Sequence, residues 1–317
     1  MPKTLVYFVS DLHGSSMCFR KFVNSTKVYK PKVLILGGDV AGKAIQSIVK
    51  APNNRYQCEF VGTRYDISDE NELKDLERLI ADHGYYPYRA EPGELEAMEA
   101  AGTLDELFLR LMRERLTEWL EIADTRLRPQ NIPLFFMLGN DDPPELAALL
   151  DQAPWGTHAE GKVVHLDDDH EMISWGYANT TPWHTYREQD EQQLASAYAK
   201  MAAQLERPEH AVFNLHPPPY NTQLDDAPAL DDELRVQATL GQVQYKAVGS
   251  TAVKDIETQY QPLLGLHGHI HESSGIRRLG KRKSMVINPG SDYSTGALNG
   301  ALITLDRDKA GAQLVRG

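Results

Sequence analysis

Residues 5–13 read Leu5-Val6-Tyr7-Phe8-Val9-Ser10-Asp11-Leu12-His13, an apolar run that stops at a serine and is followed at once by a carboxylate and an imidazole. A short run rich in β-branched and aromatic residues suits a strand buried on both faces, and the polar residues just beyond it mark a loop that can carry chemistry. The same grammar recurs. Val33–Leu36, Pro133–Leu138, Glu171–Trp175, Ala211–Leu215, Pro262–His267, Ser284–Asn288 and Ala301–Leu305 are further candidate strands, with the polar residues of interest sitting just after them. The pattern predicts a layered α/β fold whose function sits at the strand ends.

Working outward, residues 41–130 read differently, as a mostly helical and highly charged insertion that caps the sheet within a single domain spanning 1–317. Ser68 is placed to cap a helix carrying Leu73, Leu76, Leu79 and Ile80 and ended by Gly84. Thr103 and Glu106 have capping-box spacing at the head of a helix that Pro129 stops, and Tyr85–Arg89 reads as the turn between the helical parts. These helices are amphipathic and need a surface to cover. Thr185–Arg207 is another amphipathic helix candidate.

The chemistry-bearing residues follow the strands. Asp11-Leu12-His13 comes after the first, Gly37-Gly38-Asp39 after the second and Gly139-Asn140-Asp141 after the third; His216 and then His267-Gly268-His269-Ile270-His271 come later. Two carboxylates, an amide and several imidazoles form a ligand set for borderline divalent metals. Glycines at 37, 38, 139 and 268 let the backbone turn sharply and approach ions closely.

Taken in order, Asp-x-His, Gly-Asp, Gly-Asn-x-Asp, His and Gly-His-x-His resemble the five motifs of the calcineurin-like metallophosphoesterase superfamily, over residues 11–271. A softer likeness to a branch of small Icc-like predicted phosphoesterases runs through Thr181-Pro182-Trp183, His267–Ser273 and Asn288-Pro289-Gly290-Ser291. The resemblance implies a four-layer αββα sandwich and two divalent metals, manganese first, with iron, zinc, cobalt or nickel as alternatives. It assigns Asp11, His13, Asp39 and His271 to one metal, and Asp39, Asn140, His216 and His269 to the other, with Asp39 bridging. It implies a phosphoesterase in which a hydroxide between the metals attacks phosphorus in line, with His216 or His13 stabilising the developing charge.

One departure bears on substrate. Where many members have a histidine after Gly-Asn, this chain has Asp141. An ionised carboxylate there repels a phosphate dianion more than a monoanion, so the reading favours phosphodiesters, with Asp141 as a third catalytic candidate beside His216 and His13. A monoesterase or nuclease of the same family, or a metal-holding scaffold without turnover, are the alternatives. A small phosphodiester is the expected partner.

Composition bounds the rest. With 33 Lys plus Arg against 45 Asp plus Glu, the net charge of −12 disfavours a protein held to nucleic acid by electrostatics. No run approaches the ~20 apolar residues of a membrane span. The chain runs straight into a folded motif, and Cys18 and Cys58 are too few for a disulfide framework, so the expected location is the cytoplasm. Gly37–Ala44 comes within one residue of the phosphate loop G-x-x-x-x-G-K-[ST], but Ala44 lacks the hydroxyl that holds magnesium, and that reading strands most of the other ligands.

Overall fold

In the computed structural model, which describes residues 3–231 and 233–317, Thr4–Val9 forms the first strand, β1, and its side chains divide by parity. Tyr7 and Val9 enter one buried cluster, Val6 and Phe8 another, because successive residues of a strand face opposite ways. After it come α1 (Ser16–Val28), β2 (Val33–Leu36), β3 (Ile45–Ala51), β4 (Arg55–Phe60), β5 (Thr63–Ile67), α2 (Glu70–Asp82), β6 (Tyr86–Ala90), α3 (Glu94–Ala101) and α4 (Leu104–Leu127). The middle of the chain supplies β7 (Leu134–Phe136), α5 (Ala147–Asp151), β8 (Thr157–His158), β9 (Val163–His165), β10 (Glu171–Trp175), β11 (Ala178–Asn179), β12 (Glu188–Gln189), α6 (Glu191–Ala202) and β13 (Val212–Leu215). Short ribbons follow, β14 (Asp226–Pro228), β15 (Ala238–Thr239), β16 (Gln242–Val243) and β17 (Tyr245–Ala247), then α7 (Thr251–Tyr260), β18 (Leu264–Leu266), β19 (Gly275–Leu279), β20 (Ser284–Asn288), β21 (Asn299–Asp306) and β22 (Lys309–Arg316).

Two six-stranded sheets organise these elements, in the orders β22-β21-β1-β2-β7-β8 and β19-β20-β18-β13-β10-β9. In the first, β1, β2, β7 and β8 are parallel, with Val6 opposite Val33 and Phe8 opposite Ile35. In the second, β10, β13, β18 and β20 are parallel. Three clusters stack through the molecule. Val6, Phe8, Val33, Ile35 and Phe135 of one sheet meet Met172, Val212, Leu264, Met285 and Ile287 of the other. Outside the first sheet, Phe19 and Phe22 of α1 pack with Met112, Leu116 and Trp119 of α4. Outside the second, Leu194 and Tyr198 of α6 pack with Val253 and Ile256 of α7. The layers are therefore helix, sheet, sheet, helix, the αββα sandwich the sequence resemblance implies.

The 41–130 segment divides in two. α4 joins the outer helical layer of the first sheet, whereas β3 to β6 form a four-stranded sheet of order β5-β4-β3-β6 that packs Ile48, Phe60 and Ile67 on Leu73, Leu76 and Ile80 of α2. That sheet is absent from the sequence reading. Tyr85–Arg89, read as a turn, is mostly strand β6, and Pro87 is tolerated because β6 lies at the sheet edge. The cap of α2 is Asp69, which accepts the Asn71 and Glu72 N–H groups, rather than Ser68. Thr103 makes no side-chain capping bond, and its hydroxyl turns instead to Met98 O. The helix expected over 185–207 is confined to Glu191–Ala202 behind a capping box of Asp190 and Gln193. Among the described residues no helix is long and apolar enough to cross a membrane, and both cysteines are buried and free.

Candidate metal centre

The parallel strands of both sheets bring their carboxyl ends together, the usual location of sites in open α/β sheets. Asp11 and His13 follow β1, Asp39 follows β2, Asn140 follows β7, His216 follows β13, and His269 and His271 follow β18. The loops after β1 and β2 are zipped by backbone bonds: Asp11 N–H donates to Gly38 O at 3.0 Å, and His13 N–H to Asp39 O at 2.9 Å. Within the second sheet, Gly268 N–H donates to His216 O at 2.9 Å, tying the loop after β18 to the end of β13. Asp11, His13, Asp39 and His269 all adopt positive φ, at 58°, 40°, 50° and 67°. Such strain in non-glycine residues persists where surrounding structure over-determines it, and it clusters at functional sites. Glycine is required beside them: a methyl group on Gly139 would lie 2.0 Å from Asp39 Oδ1, and one on Gly268 2.3 Å from Asp11 Oδ2.

Two groups of ligand atoms result, each within 4.8 Å: Asp11, His13, Asp39 and His271 in one, and Asp39, His216 and His269 in the other. Asp39 stands in both. His13 Nε2 is 3.0 Å from His271 Nε2 and 3.5 Å from Asp39 Oδ2, while His271 Nε2 is 3.6 Å from Asp11 Oδ1. His216 Nε2 is 3.4 Å from Asp39 Oδ2 and 3.9 Å from Asp11 Oδ1. Asp11 Oδ2, His13 Nδ1, Asn140 Oδ1 and His216 Nε2 are buried without a hydrogen-bond partner. Buried polar atoms are ordinarily paired, so lone pairs converging in this way fit divalent cations.

Charge agrees with geometry. Burial raises the Asp11 carboxyl, but His271 and His216 outweigh it and bring the pKa down to about 2. Burial also opposes ionisation of Asp39, and His216 and His13 hold that carboxyl well below its usual range. Burial lowers His216, yet Asp39 and Asp11 push it up to about 9; His269, buried and facing His216, falls to about 4. Two ionised carboxylates thus draw positive charge into a buried space.

Supporting contacts aim the ligands. His216 Nδ1–H donates to Gly37 O at 2.9 Å, leaving Nε2 as the inward atom, a pattern common for metal-binding imidazoles. Asn140 Nδ2 donates to Thr185 Oγ1 at 3.0 Å, the Thr185 hydroxyl donates to Glu188 Oε1 at 2.8 Å, and Thr181 N–H meets Glu188 Oε2 at 3.1 Å. This relay turns Asn140 Oδ1 inward and accounts for Thr181 of the softer motif. Asn288 does similar work, donating to Ile270 O at 2.9 Å and accepting from Gly290 N–H at 2.8 Å, while the Ser291 hydroxyl donates to Asp11 O at 2.7 Å.

Asp142 is a residue that sequence reading passed over as part of a helix start. Fully buried, it accepts N–H bonds from Gly139 at 2.7 Å, Ala41 at 2.7 Å and Val40 at 3.0 Å. Asp141 lies at the mouth, with Oδ2 4.0 Å from His13 Nδ1 and 2.6 Å from Lys43 Nζ. His267 turns away, donating to Leu215 O at 2.7 Å with Glu257 on its other side. His184 is exposed. His158 and His170 are buried beside Asp151 and Asp167 respectively. Arg89 is taken up by Glu70 and Glu77. Lys43 leads into β3 rather than a helix, so the near-match to a phosphate loop lacks the helix N-terminus such a loop needs.

No family model and no curated protein sequence matches the chain. Solved structures do. One crystal structure is 14% identical with a TM-score of 0.56, covering 98% of this chain and 99% of its own. TT1561 of Thermus thermophilus is 13% identical with a TM-score of 0.53 over the same shares of the two chains. The two facing sheets, matched over nearly their whole length by these structures, have the calcineurin-like metallophosphoesterase fold that the five motifs of the sequence resemble.

Proposed function

We propose that the chain is a metal-dependent phosphoesterase that prefers small phosphodiesters. The observation that carries this reading is the double cluster sharing Asp39, in which imidazole nitrogens and carboxylate oxygens face one another within 4.8 Å. Asp11, His13, Asp39 and His271 would hold one cation, and Asp39, Asn140, His216 and His269 a second. Divalent cations there, manganese before iron, zinc, cobalt or nickel, would supply Lewis acidity and neutralise phosphoryl charge.

The chain's own groups orient and exclude. Asp142 and the Asp141 N–H, which donates to Asp39 Oδ1 at 3.0 Å, fix the angle of Asp39. His13 and His216 line the floor as buried nitrogen donors and would stabilise charge developing on phosphoryl oxygens. In the net reaction a water oxygen bonds to phosphorus and the P–O ester bond breaks. The alcohol leaves with one of the water's protons, and the acid product releases the other. Asp141, at the mouth of the site, is the candidate for the leaving-group acid, and burial and the neighbouring Asp39 raise its pKa. An ionised Asp141 would disfavour a dianion, which is the basis of the diester preference.

The test is a paired assay on metal-stripped protein reconstituted with manganese. Turnover of bis-p-nitrophenyl phosphate should exceed that of p-nitrophenyl phosphate, and Asp39→Ala should remove both. Faster monoester turnover would reverse the specificity assignment, and no turnover with metal bound would favour a scaffold.

A further inference from the structure

Lys43 is the lysine of the near-match to a phosphate loop, yet none of the metal ligand sets uses it. The structure gives it a fixed base. Val40 and Ala41 donate their N–H groups to Asp142, and Gly42 N–H donates to Tyr86 Oη at 2.8 Å. A methyl group on Gly42 would lie 2.2 Å from Gly84 O, so the loop is pressed against the turn that leads into β6. From this platform the Lys43 side chain turns back across the mouth of the site, placing Nζ 2.6 Å from Asp141 Oδ2. Asp141 adjoins both clusters, through His13 Nδ1 at 4.0 Å and through its own N–H on Asp39 Oδ1 at 3.0 Å.

The partners differ in exposure: the Asp141 side chain is 17% exposed, that of Lys43 47%. A pair so open to water adds little to fold stability. Its electrostatic placement matters more. Repulsion scales with the product of charges, so an uncovered Asp141 acts twice as strongly on a monoester dianion as on a diester monoanion. An ammonium on a flexible stem can neutralise the carboxylate and swing to a phosphoryl oxygen without losing its charge.

We propose that Lys43 is a specificity-determining residue of this site, whose ammonium offsets Asp141 and meets the additional anionic oxygen of a phosphate monoester. The proposal rests on the phosphoesterase reading above. Lys43 thereby limits a diester preference that Asp141 alone would make steeper.

The experiment compares wild type, Lys43→Gln and Lys43→Arg, each reconstituted with manganese, in two measurements. One is kcat/KM on p-nitrophenyl phosphate and on bis-p-nitrophenyl phosphate; the other is calorimetric binding of inorganic phosphate. Lys43→Gln should lower monoester kcat/KM by about tenfold, lower diester kcat/KM by no more than about threefold, and weaken phosphate binding by about fivefold or more. Lys43→Arg, which keeps the charge, should recover most of both losses. Equal losses on the two esters, or an unchanged ratio with unchanged phosphate affinity, would overturn the role of Lys43 and leave the phosphoesterase reading standing. If wild type hydrolyses neither ester, that reading falls, and calorimetry decides alone. Phosphate affinity that depends on Lys43 then supports the anion contact; affinity that is absent, or indifferent to Lys43→Gln, removes it.

Discussion

Asp142 ties the loop after β2 to the loop after β7, since one carboxylate receives N–H groups from Val40, Ala41 and Gly139. Burial and Asp39 push its pKa up to about 7, against three donors that favour the anion. In Asp142→Asn, the amide oxygen can accept from two of those donors while the NH2 group faces the third. The expected cost is about 2–3 kcal/mol by urea unfolding, with metal affinity lower by roughly tenfold or more, since supporting partners set ligand geometry. Unchanged values of both would show that the loops are aligned by other contacts. The clustered Asp, Asn and His residues were legible in sequence because they lie in the loops just after apolar runs and carry side chains suited to metals. Asp142 was not, because its partner Val40 lies 102 positions away and the following prolines suggest a helix start. Lys43 was recognisable as a residue but not as a partner of Asp141, a pairing that only the fold creates.

At the scale of elements, the central strands were readable because both faces are buried and the runs are continuous; Val33–Leu36 and Glu171–Trp175 coincide with β2 and β10. The insertion sheet was not, because β3 to β6 mix charged and apolar residues and one face is largely open, leaving no continuous run to detect. Between β9 and β10 the chain turns on Asp167, which accepts the Asp169 and His170 N–H groups at 2.9 Å each and lies 2.7 Å from His170 Nδ1. Burial raises the Asp167 carboxyl, but the bonds to His170, Thr4 and Asp169 outweigh it and bring its pKa down to about 2 from 3.8. A folded-state pKa below the unfolded value means the anion is favoured by folding, so the stabilisation is full above about pH 4 and disappears as pH falls through about 2. Asp167→Asn should therefore be less stable than wild type at pH 6, with the difference shrinking across that acid window in denaturant titrations. A difference independent of pH would mean the turn is held by shape rather than by the carboxylate's charge.

For the whole molecule, the centre matters because it joins the two sheets. Asp11, His13, Asp39 and Asn140 come from strand ends of the first sheet, and His216, His269 and His271 from strand ends of the second. A cation held by both sets must be released when the sheets separate, so its binding free energy counts toward the folded state of the entire sandwich. At free metal of about 100 times Kd this linkage is worth about 2.7 kcal/mol. Manganese added to metal-stripped protein should therefore raise Tm by several degrees, and a chelator should reverse the shift. The increment should be largely lost in Asp39→Ala, since Asp39 belongs to both clusters, whatever that substitution does to the metal-free baseline. A shift of equal size in Asp39→Ala would place the bound metal elsewhere on a chain of net charge −12, where exposed carboxylates collect cations without joining the sheets. The position of Asp39, buried and facing both groups of imidazoles, instead predicts that losing this one side chain uncouples metal binding from the stability of the fold.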